Sequence, residues 1–519
     1  MRLLGLFAAS MLLAEEAYPP ARFTDPWRVE KLRSALPAID SLFRQYAAEE
    51  KIAGMVWGVV IDDRLVHTGA AGVQSRATGA PVTANTVFRI ASMTKSFTAL
   101  AILKLRDEGR LSLEDPVAKW IREFARMPLP TRDTAPLRIR QLMSHSAGLP
   151  EDNPWGDQQL GIGASTLNQW LRAGIPFSTA PDTRYEYSNY AFGLLGRIVE
   201  KASRRPYEKY VQTEILGKLG MNASTFAFSE VSGAVRATGY RLLPSGAYEE
   251  EAPLPHGVFG AMGGLLTNAN DLGKYVAFQL SAWPPRDEAE TGPARRSSVR
   301  EMNHLWTPAN LSVTRSGAAS SGYGYGLRVS SDCRFQHVVG HGGGLPGFGS
   351  YMAWLPEHGV GIFAMATLTY SGPSRTISQA WDVLKKTGGL QKREQPPSSA
   401  LTEMRGQIWD LWREWDDARA KRIAAMNLFL DAPIPQRRAA IEKLKAEVGA
   451  CATAGPVIPE NWLRGQFNLT CANGMIGVFY TLAPVQPPTV QHLEFRKLES
   501  ENVRMFAPTG PPAGVACLD

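Results

Sequence analysis

The sequence predicts an α+β fold in which one antiparallel sheet takes strands from both ends of a long region, with a helical segment inserted between them. Strand patterns at 55–61 and 65–69 come early and are joined by a short turn. The pattern from about 110 to 250 is helical and rich in loops. Early and late strands that share one sheet are expected to be covered by the helices between them. The late elements are strand-like runs followed by a helix, at 325–329, 335–340, 349–354, 361–366 and 374–387.

Length and composition predict more than one structural unit. At 519 residues the chain is too long for a single hydrophobic core. Its hydrophobic content of 44% and charged content of 20% are typical of globular proteins. A polar, proline-bearing stretch at 391–399 separates two regions of different pattern. We therefore predict a main domain over 25–388, a linker over 389–400 and a small C-terminal α+β domain of unknown role over 401–519.

Residues 1–17 have the pattern of a signal peptide. A positive charge at Arg2 is followed by a short apolar run, and Ala14 and Ala17 are small residues at which cleavage could occur. We predict export to the periplasm or the exterior, with an ordinary N-terminal helix as the alternative. No cysteine follows the run, so a lipid anchor is not expected. No other apolar stretch is long enough to span a membrane.

The net charge of +7 is spread along the chain without a block of lysine and arginine. This distribution does not predict nucleic-acid binding, although it fits a protein close to anionic envelope polymers. The cysteines are Cys333, Cys451, Cys471 and Cys517, and their spacings match no zinc pattern. In an exported protein Cys451 could pair with Cys471, and Cys517 could pair with Cys333 or stay free. Four buried thiols are the alternative.

The strongest chemical pattern is Ser92-Met93-Thr94-Lys95. The residues after Ser92 have helical spacing, which places the Ser92 and Lys95 side chains on one face of a helix. Ser92 would then lie at a helix N-terminus, where developing negative charge is favoured. A serine hydroxyl becomes a nucleophile when a neighbour takes its proton, and a partly buried lysine of lowered pKa can do so. By itself the pattern also fits the start of a surface helix.

Two further segments carry candidate site residues. Tyr187-Ser188-Asn189 places a phenol and an amide two residues apart at a helix start. His341-Gly342-Gly343-Gly344 is a glycine run beside a strand. Each has a structural alternative, since Tyr187 could be an aromatic residue of a turn and the glycines a bulge.

With these three segments in this order, the chain resembles the serine β-lactamase-like superfamily, which includes class C β-lactamases, penicillin-binding DD-peptidases, D-aminopeptidases and related carboxylesterases. The resemblance covers roughly residues 30–385. It implies a β-lactamase/transpeptidase-like antiparallel sheet flanked by helices, with an inserted all-α region. The supporting stretches are 142–150, 187–196 and 261–265.

The resemblance also implies roles for the site residues. Ser92 would attack a carbonyl carbon, and Lys95 and Tyr187 would share the proton transfers, with a lowered pKa expected for Tyr187 beside cationic groups. Asn189 would donate to the substrate carbonyl, and the backbone N–H groups of Ser92 and Gly344 would form the oxyanion hole. The remaining implied binding residues are His341 and Gly343, and the glycines at 342–344 let a substrate backbone lie against the strand.

Two departures from the family pattern affect the expected substrate. Classical β-lactamases have Lys-Thr-Gly where this chain has His341-Gly342-Gly343, so a permanent charge and a hydroxyl are missing. A packed structural role is the alternative for His341. The class A glutamate is also absent, because Ala164 stands where it would be, ahead of Leu167-Asn168. Tyr187 is therefore expected to activate the deacylating water.

We predict a serine hydrolase that forms an acyl-enzyme on Ser92, without metal or organic cofactor. Carboxylic esters or small peptide-like amides are the leading substrates, and esters come first because the lysine is missing. The alternatives are a D-amino-acid-specific peptidase acting on cell-wall fragments, a β-lactamase, and a non-catalytic scaffold or wall-binding protein. The true substrate, the oligomeric state, the disulfide pairing and the role of the C-terminal domain do not follow from the sequence.

Overall fold

A computed structural model describes residues 18–153, 155–314, 317–499 and 505. The predicted signal peptide at 1–17 therefore lies outside the described residues. The chain divides into two compact units. Among the described residues, the larger unit is 25–392, and the smaller unit comprises 18–24, 393–499 and 505.

The larger unit is organised around an eight-stranded sheet in the order β2-β1-β12-β11-β10-β9-β8-β7, antiparallel throughout. The early hairpin β1–β2 joins the late strands through the pairing of β1 with β12. The predicted sheet with strands from both ends of the region, and with it the α+β fold class, is confirmed. The strands of this unit, including two short pairs outside the main sheet, are β1 (Gly54–Ile61), β2 (Arg64–Gly72), β3 (Phe88–Arg89), β4 (Tyr240–Leu242), β5 (Tyr248–Glu250), β6 (Leu266–Thr267), β7 (Thr307–Thr314), β8 (Gly317–Tyr323), β9 (Arg328–Ser331), β10 (Val338–Leu345), β11 (Phe348–Leu355) and β12 (Val360–Ala366).

Helices cover both faces of this sheet. The helices α2 and α13 pack on one face, and α3, α8 and α11 belong to the larger core on the other. The helices of the unit are α1 (Arg28–Arg33), α2 (Leu36–Glu49), α3 (Thr94–Asp107), α4 (Val117–Trp120), α5 (Ile139–Met143), α6 (Trp155–Gln158), α7 (Ala164–Ala173), α8 (Asn189–Ser203), α9 (Tyr207–Val211), α10 (Gly260–Gly263), α11 (Ala269–Leu280), α12 (Arg296–Met302) and α13 (Ser374–Lys386).

The structure adds elements that the sequence pattern did not predict. Strand β8 consists of Gly, Ala and Ser apart from its last residue, so it lacks the β-branched and aromatic residues by which strands are recognised. Strand β7 contains a proline, and its two large apolar residues, Leu311 and Val313, are exposed. Helix α12 begins inside the segment 284–300, whose proline, arginine and serine content is typical of a surface loop. The N-cap of α11 is Asn268, whose side chain accepts from the Asp271 N–H.

The smaller unit combines helices with a sheet of its own. In its described part, four helices pack with a five-stranded antiparallel sheet. A helix with the length and the apolar composition needed to span a bilayer is not found among the described residues. The elements are α14 (Ser399–Arg413), α15 (Asp417–Ile423), α16 (Leu428–Asp431), α17 (Ile434–Val448), β13 (Cys451–Ala454), β14 (Ile458–Asn461), β15 (Arg464–Cys471), β16 (Gly474–Leu482) and β17 (Val490–Leu498).

The cysteines are oxidised in the described part of the chain. Cys451 on β13 forms a disulfide with Cys471 on β15, directly opposite in the register. Cys333 is also disulfide-bonded, and Cys517 lies outside the described residues. The pairing of Cys451 with Cys471 is one of the arrangements that the sequence left open, and buried free thiols are excluded for these three residues.

Candidate active site

Ser92 lies in a turn between the short strand β3 and helix α3. The turn is a 3-10 helix over Ala91–Met93, and Ala91 has a φ of +50°. A positive φ is costly for a residue with a β-carbon, and such strain often accompanies functional sites. Ser92 is 8% exposed and lines a cleft, while its neighbours Ala91 and Met93 are fully buried. The turn thus places the Ser92 hydroxyl in the cleft at the start of helix α3, with the neighbouring residues buried.

Lys95 lies one helical turn after Ser92 and is fully buried. Its Nζ donates to Ser92 Oγ at 2.9 Å, to Asn189 Oδ1 at 2.6 Å and to the Met262 carbonyl oxygen at 3.0 Å. Burial lowers the pKa of Lys95 to about 7, although the charge of Asp157 opposes this shift. A large fraction of the amine is therefore neutral near pH 7. The neutral amine has two N–H groups and a lone pair, so it can donate to Asn189 and Met262 and accept the proton of Ser92.

Tyr187 is in the predicted place but not in the predicted protonation state. Its ring lies 4.9 Å from Lys95 Nζ and 5.7 Å from the Arg328 guanidinium carbon. Burial raises the pKa of Tyr187 above its usual value, and a hydrogen bond with Ser92 and the charge of Arg328 only partly oppose this. The expected lowered pKa is wrong, because removing the phenol from water outweighs the nearby cations. Tyr187 is a protonated hydroxyl beside Ser92.

Asn189 is held at the start of helix α8 by a carboxylate from another segment. Asp152 accepts hydrogen bonds from the backbone N–H groups of Asn189 and Tyr190, at 2.7 and 2.8 Å. The side-chain oxygen of Asn189 accepts from Lys95, and its Nδ2 donates to Asn153 Oδ1. The amide is thereby oriented with its oxygen towards the amine and its nitrogen towards Asn153, on the cleft wall.

The glycine run lies within strand β10 and not beside it. Strand β9 pairs with β10 only as far as Gly340, so the outer edge of β10 beyond that point faces the cleft. Leu345 and Phe348 are the paired residues that close a two-residue hairpin between β10 and β11. From this hydrogen-bonded pair onwards, non-hydrogen-bonded and hydrogen-bonded pairs alternate along the two strands, so Gly344 and Gly349 form a non-hydrogen-bonded pair. On this alternation the N–H of Gly344 points away from β11, towards the open edge.

Gly343 needs its glycine because the turn that carries Ser92 packs against it. A β-carbon at Gly343 would lie 2.1 Å from the carbonyl oxygen of Ile90. Ser350 on the neighbouring strand donates to the same oxygen at 2.9 Å. The nucleophile turn and the glycine strand are therefore in direct contact.

His341 is buried and its ring nitrogens are both bonded within the protein. Nδ1 lies 2.5 Å from the carbonyl oxygen of Gly342, which can only accept, so Nδ1 carries the proton. Nε2 lies 2.7 Å from the hydroxyl of Tyr323 and accepts from it. Burial holds the pKa of His341 well below its usual value. The imidazole is neutral and supports the strand, which is the structural alternative that the sequence left open.

The cleft has a volume of about 600 Å³ and is lined by Ser92, Tyr187, His341 and Gly342 to Gly344. Sequence reasoning missed several further residues that line it, among them Arg328, Tyr370 and the acidic residues Glu151 and Asp157. None of them belongs to a motif. Arg328 is exposed on β9 opposite Gly340, and no carboxylate lies within 4 Å of its guanidinium in the described part of the chain. Arg328 reaches the cleft because β9 pairs with β10 in this register, and a register is not visible in the sequence.

The described residues contain no group of three or more His, Cys, Asp or Glu side chains that could hold a metal ion. The side chains gathered around Ser92 are an amine, a phenol, amides and an imidazole bonded on both nitrogens. This arrangement can transfer protons to and from a serine hydroxyl and can offer backbone N–H groups to an oxyanion.

The comparison with protein families agrees with this geometry. Residues 39–384 match the family described as Beta-lactamase. The chain belongs to the Beta-lactamase family. The match lies within the larger unit, covers most of it and confirms the resemblance that the three motifs indicated. Proteins of this fold family are generally serine hydrolases.

Curated relatives of this Beta-lactamase family member match over part of their length. The chain is 27% identical to "Beta-lactamase-like protein 2" from Dictyostelium discoideum, over 73% of this chain and 67% of that protein. It is 28% identical to "Protein flp" from Staphylococcus aureus strain COL, over 64% of this chain and 62% of that protein. The alignments thus span 62% to 67% of the length of these relatives.

Solved structures share the fold. The octameric penicillin-binding protein homologue from Pyrococcus abyssi superposes with a TM-score of 0.59 at 23% identity, covering 86% of this chain and 94% of that one. The D-alanine carboxypeptidase AmpC from Burkholderia cenocepacia gives a TM-score of 0.53 at 20% identity, covering 69% and 99%. At these identities the likeness establishes the architecture alone.

Proposed function

We propose that this protein hydrolyses esters or peptide-like amides of small size through an acyl-enzyme on Ser92. The observation that carries the proposal is the buried Lys95 amine, 2.9 Å from Ser92 Oγ, with a pKa lowered to about 7. A neutral amine in this position is a competent general base for the hydroxyl. The adjoining cleft of about 600 Å³ has room for a small substrate.

In the acylation step, Ser92 Oγ bonds to the substrate carbonyl carbon and its proton passes to Lys95 Nζ. The bond to the leaving group then breaks, and the leaving oxygen or nitrogen takes a proton from the Tyr187 hydroxyl. Lys95 returns its proton to Tyr187, so no net charge is left on the enzyme. Because Tyr187 is protonated, it acts here as the acid of the two proton-transferring residues, and Lys95 acts as the base.

Deacylation uses Lys95 and Ser92 in the reverse direction, and because Tyr187 is protonated, Lys95 takes the water-activating role that the sequence suggested for Tyr187. A water molecule attacks the acyl carbon and its proton passes to Lys95 Nζ. The bond from the acyl carbon to Ser92 Oγ breaks, and Oγ takes the proton back from Lys95. The negative charge on the carbonyl oxygen in both steps would be held by the N–H groups of Ser92 and Gly344. Loss of one such donor typically lowers the rate by about 10²- to 10³-fold.

The position of Arg328 favours a second candidate, a D-amino-acid-specific peptidase or β-lactamase acting on substrates with a carboxylate. The preference for esters rested on the missing lysine of the Lys-Thr-Gly pattern. Arg328 brings a permanent positive charge to the same cleft from the neighbouring strand, opposite Gly340. A guanidinium that has no carboxylate within 4 Å among the described residues is suited to the carboxylate of a substrate. Cell-wall fragments that end in a carboxylate fit such a site.

Intact-mass measurement after incubation with a fluorophosphonate or a penicillin tests the acyl-enzyme. The wild-type protein should gain one adduct, and Ser92→Ala should gain none. Absence of any adduct on a folded wild-type protein would contradict the proposal and favour the non-catalytic scaffold.

Residues 1–17 further support a proposal of export to the periplasm or exterior, which the N-terminal sequence of the protein recovered from that compartment would test.

A substrate panel then separates esterase from peptidase or β-lactamase. The panel consists of p-nitrophenyl esters, D-alanyl amides with a free carboxylate and a chromogenic cephalosporin, assayed with wild type, Arg328→Gln and Arg328→Lys. If carboxylate recognition matters, Arg328→Gln should lower kcat/KM for the carboxylate-bearing substrates by about tenfold or more and leave the neutral esters nearly unchanged. If Arg328→Gln changes kcat/KM equally for the carboxylate-bearing substrates and the neutral esters, Arg328 does not recognise the substrate carboxylate. Esters would then remain the favoured substrates.

A further inference from the structure

The Tyr370 side chain forms a bridge across the cleft to Asp157. Its hydroxyl donates to Asp157 Oδ2 at 3.0 Å. Asp157 belongs to helix α6 on the helical wall and is 2% exposed, whereas Tyr370 follows strand β12 on the sheet wall. Both residues line the cleft that contains Ser92. The two walls are therefore tied together by one hydrogen bond.

The base of Tyr370 is firmly attached to the β10–β11 hairpin. Its backbone N–H donates to the Phe348 carbonyl oxygen at 3.2 Å, and the Gly347 N–H donates to Thr369 Oγ1 at 2.8 Å. Tyr370 itself has a φ of +58°, a conformation that is unfavourable for an aromatic residue. Strain of this kind is retained where the surroundings impose it, often at functional sites.

The ring of Tyr370 covers Gly344. A β-carbon added at Gly344 would lie 2.5 Å from Tyr370 Cδ1, so the ring occupies the space that a side chain would need. Arg328 is paired with Gly340 of β10. Gly340 precedes Gly344 by four residues, which is about 13 Å along the strand at the usual rise. The cationic group and the bridge therefore lie towards opposite ends of the strand segment that lines the cleft.

We infer that the Tyr370–Asp157 bridge closes the acyl end of the cleft and restricts the enzyme to substrates with a short acyl group. The inference rests on the function proposed for Ser92. With the carbonyl oxygen held at the Gly344 N–H and the leaving group extending towards Arg328, the acyl group extends the other way, under the Tyr370 ring. Tyr370 is on this account a specificity-determining residue, and Asp157 fixes the position of its hydroxyl.

Acyl-chain selectivity tests the bridge. The experiment measures kcat/KM for p-nitrophenyl acetate, butyrate and octanoate with the full-length wild type, Tyr370→Phe and Tyr370→Gly. Glycine suits the positive φ, so removal of the ring should not strain the backbone. Tyr370→Gly should raise the ratio of octanoate to acetate kcat/KM by about tenfold or more, because the space beyond Gly344 opens. Tyr370→Phe keeps the ring without the hydrogen bond and should give a smaller increase.

Trp27→Ala is the matched control, because it removes an exposed aromatic ring that does not line the cleft. Its acyl-chain ratio should equal that of the wild type. The bridge inference is overturned if Tyr370→Gly leaves the ratio unchanged while Ser92 still gains a fluorophosphonate adduct. It also falls, together with the proposed function, if the wild-type protein neither gains an adduct nor hydrolyses any of the esters.

Discussion

Lys95 shows how burial alone can convert a common side chain into a base. The amine is fully buried, and its three acceptors are a hydroxyl, an amide oxygen and a backbone carbonyl, all of them uncharged. Desolvation therefore dominates and lowers its pKa to about 7. The same desolvation raises the pKa of Tyr187. One buried environment thus favours the neutral form of both the base and the acid.

The pH dependence of acylation follows from the pKa of Lys95. Only the neutral amine accepts a proton, so kcat/KM for p-nitrophenyl acetate should rise with pH and be half-maximal near pH 7. The negative charge of Asp157 raises the pKa of Lys95, so Asp157→Asn should move the half-maximal pH downwards. The exposed Asp133 gives the control, since Asp133→Asn should leave the profile in place. A profile that is flat between about pH 5.5 and 8.5 would contradict the role of Lys95.

At the scale of elements, helix α8 depends on a cap that comes from a distant part of the chain. The adjacent Ser188 accepts from the Ala191 N–H at a long 3.4 Å, whereas Asp152 accepts from Asn189 and Tyr190 at 2.7 and 2.8 Å. A carboxylate at a helix N-terminus is also favoured by the helix dipole. Asp152 therefore stabilises the helix and aligns the Asn189 side chain with Lys95.

Removal of this cap should weaken both the helix and the site. Asp152→Ala leaves two buried N–H groups without their acceptor, so we expect the free energy of unfolding to fall by about 1–2 kcal/mol, measured by urea titration. The rate of Ser92 labelling should fall as well, because Asn189 loses its support. Asp152→Asn keeps an acceptor without the charge. Its free energy of unfolding and its labelling rate should lie between those of the wild type and Asp152→Ala. Normal stability of Asp152→Ala would show that Ser188 and water suffice.

At the scale of the whole molecule, the proposed chemistry belongs to the larger unit. Every residue of the candidate site lies between 25 and 392, and two hydrophobic cores of that unit cover the two faces of the main sheet. The smaller unit has its own core and its own disulfide between Cys451 and Cys471. This disulfide closes a loop with a sequence separation of 20 and is expected to contribute on the order of 3 kcal/mol to the stability of that unit.

A fragment of residues 25–392 should therefore label at Ser92 at a rate close to that of the full-length protein. Cys333 is disulfide-bonded in the full chain, so the fragment carries Cys333→Ser to avoid a free thiol. The full-length Cys333→Ser variant is the control for that substitution. A fragment that is folded by circular dichroism but no longer labels, beside a full-length control that does, would assign the smaller unit a direct part in the site.

Sequence patterns identified Ser92, Lys95, Tyr187 and Asn189, because each lies in a short motif whose chemistry is visible in adjacent residues. They also identified the late strands that pack against the early hairpin, although they missed the polar strands β7 and β8. Helical periodicity and strand alternation are local properties, so the chain itself specifies them.

Only the tertiary structure decided which groups surround those four residues. Arg328, Asp157 and Tyr370 reach the cleft from three separate segments, through a strand register, a short helix and a loop after the last strand of the sheet. The direction of the Tyr187 pKa was likewise decided by burial and not by the charges beside it. Desolvation and long-range contact arise only when distant segments pack together, which is why no local pattern carries them.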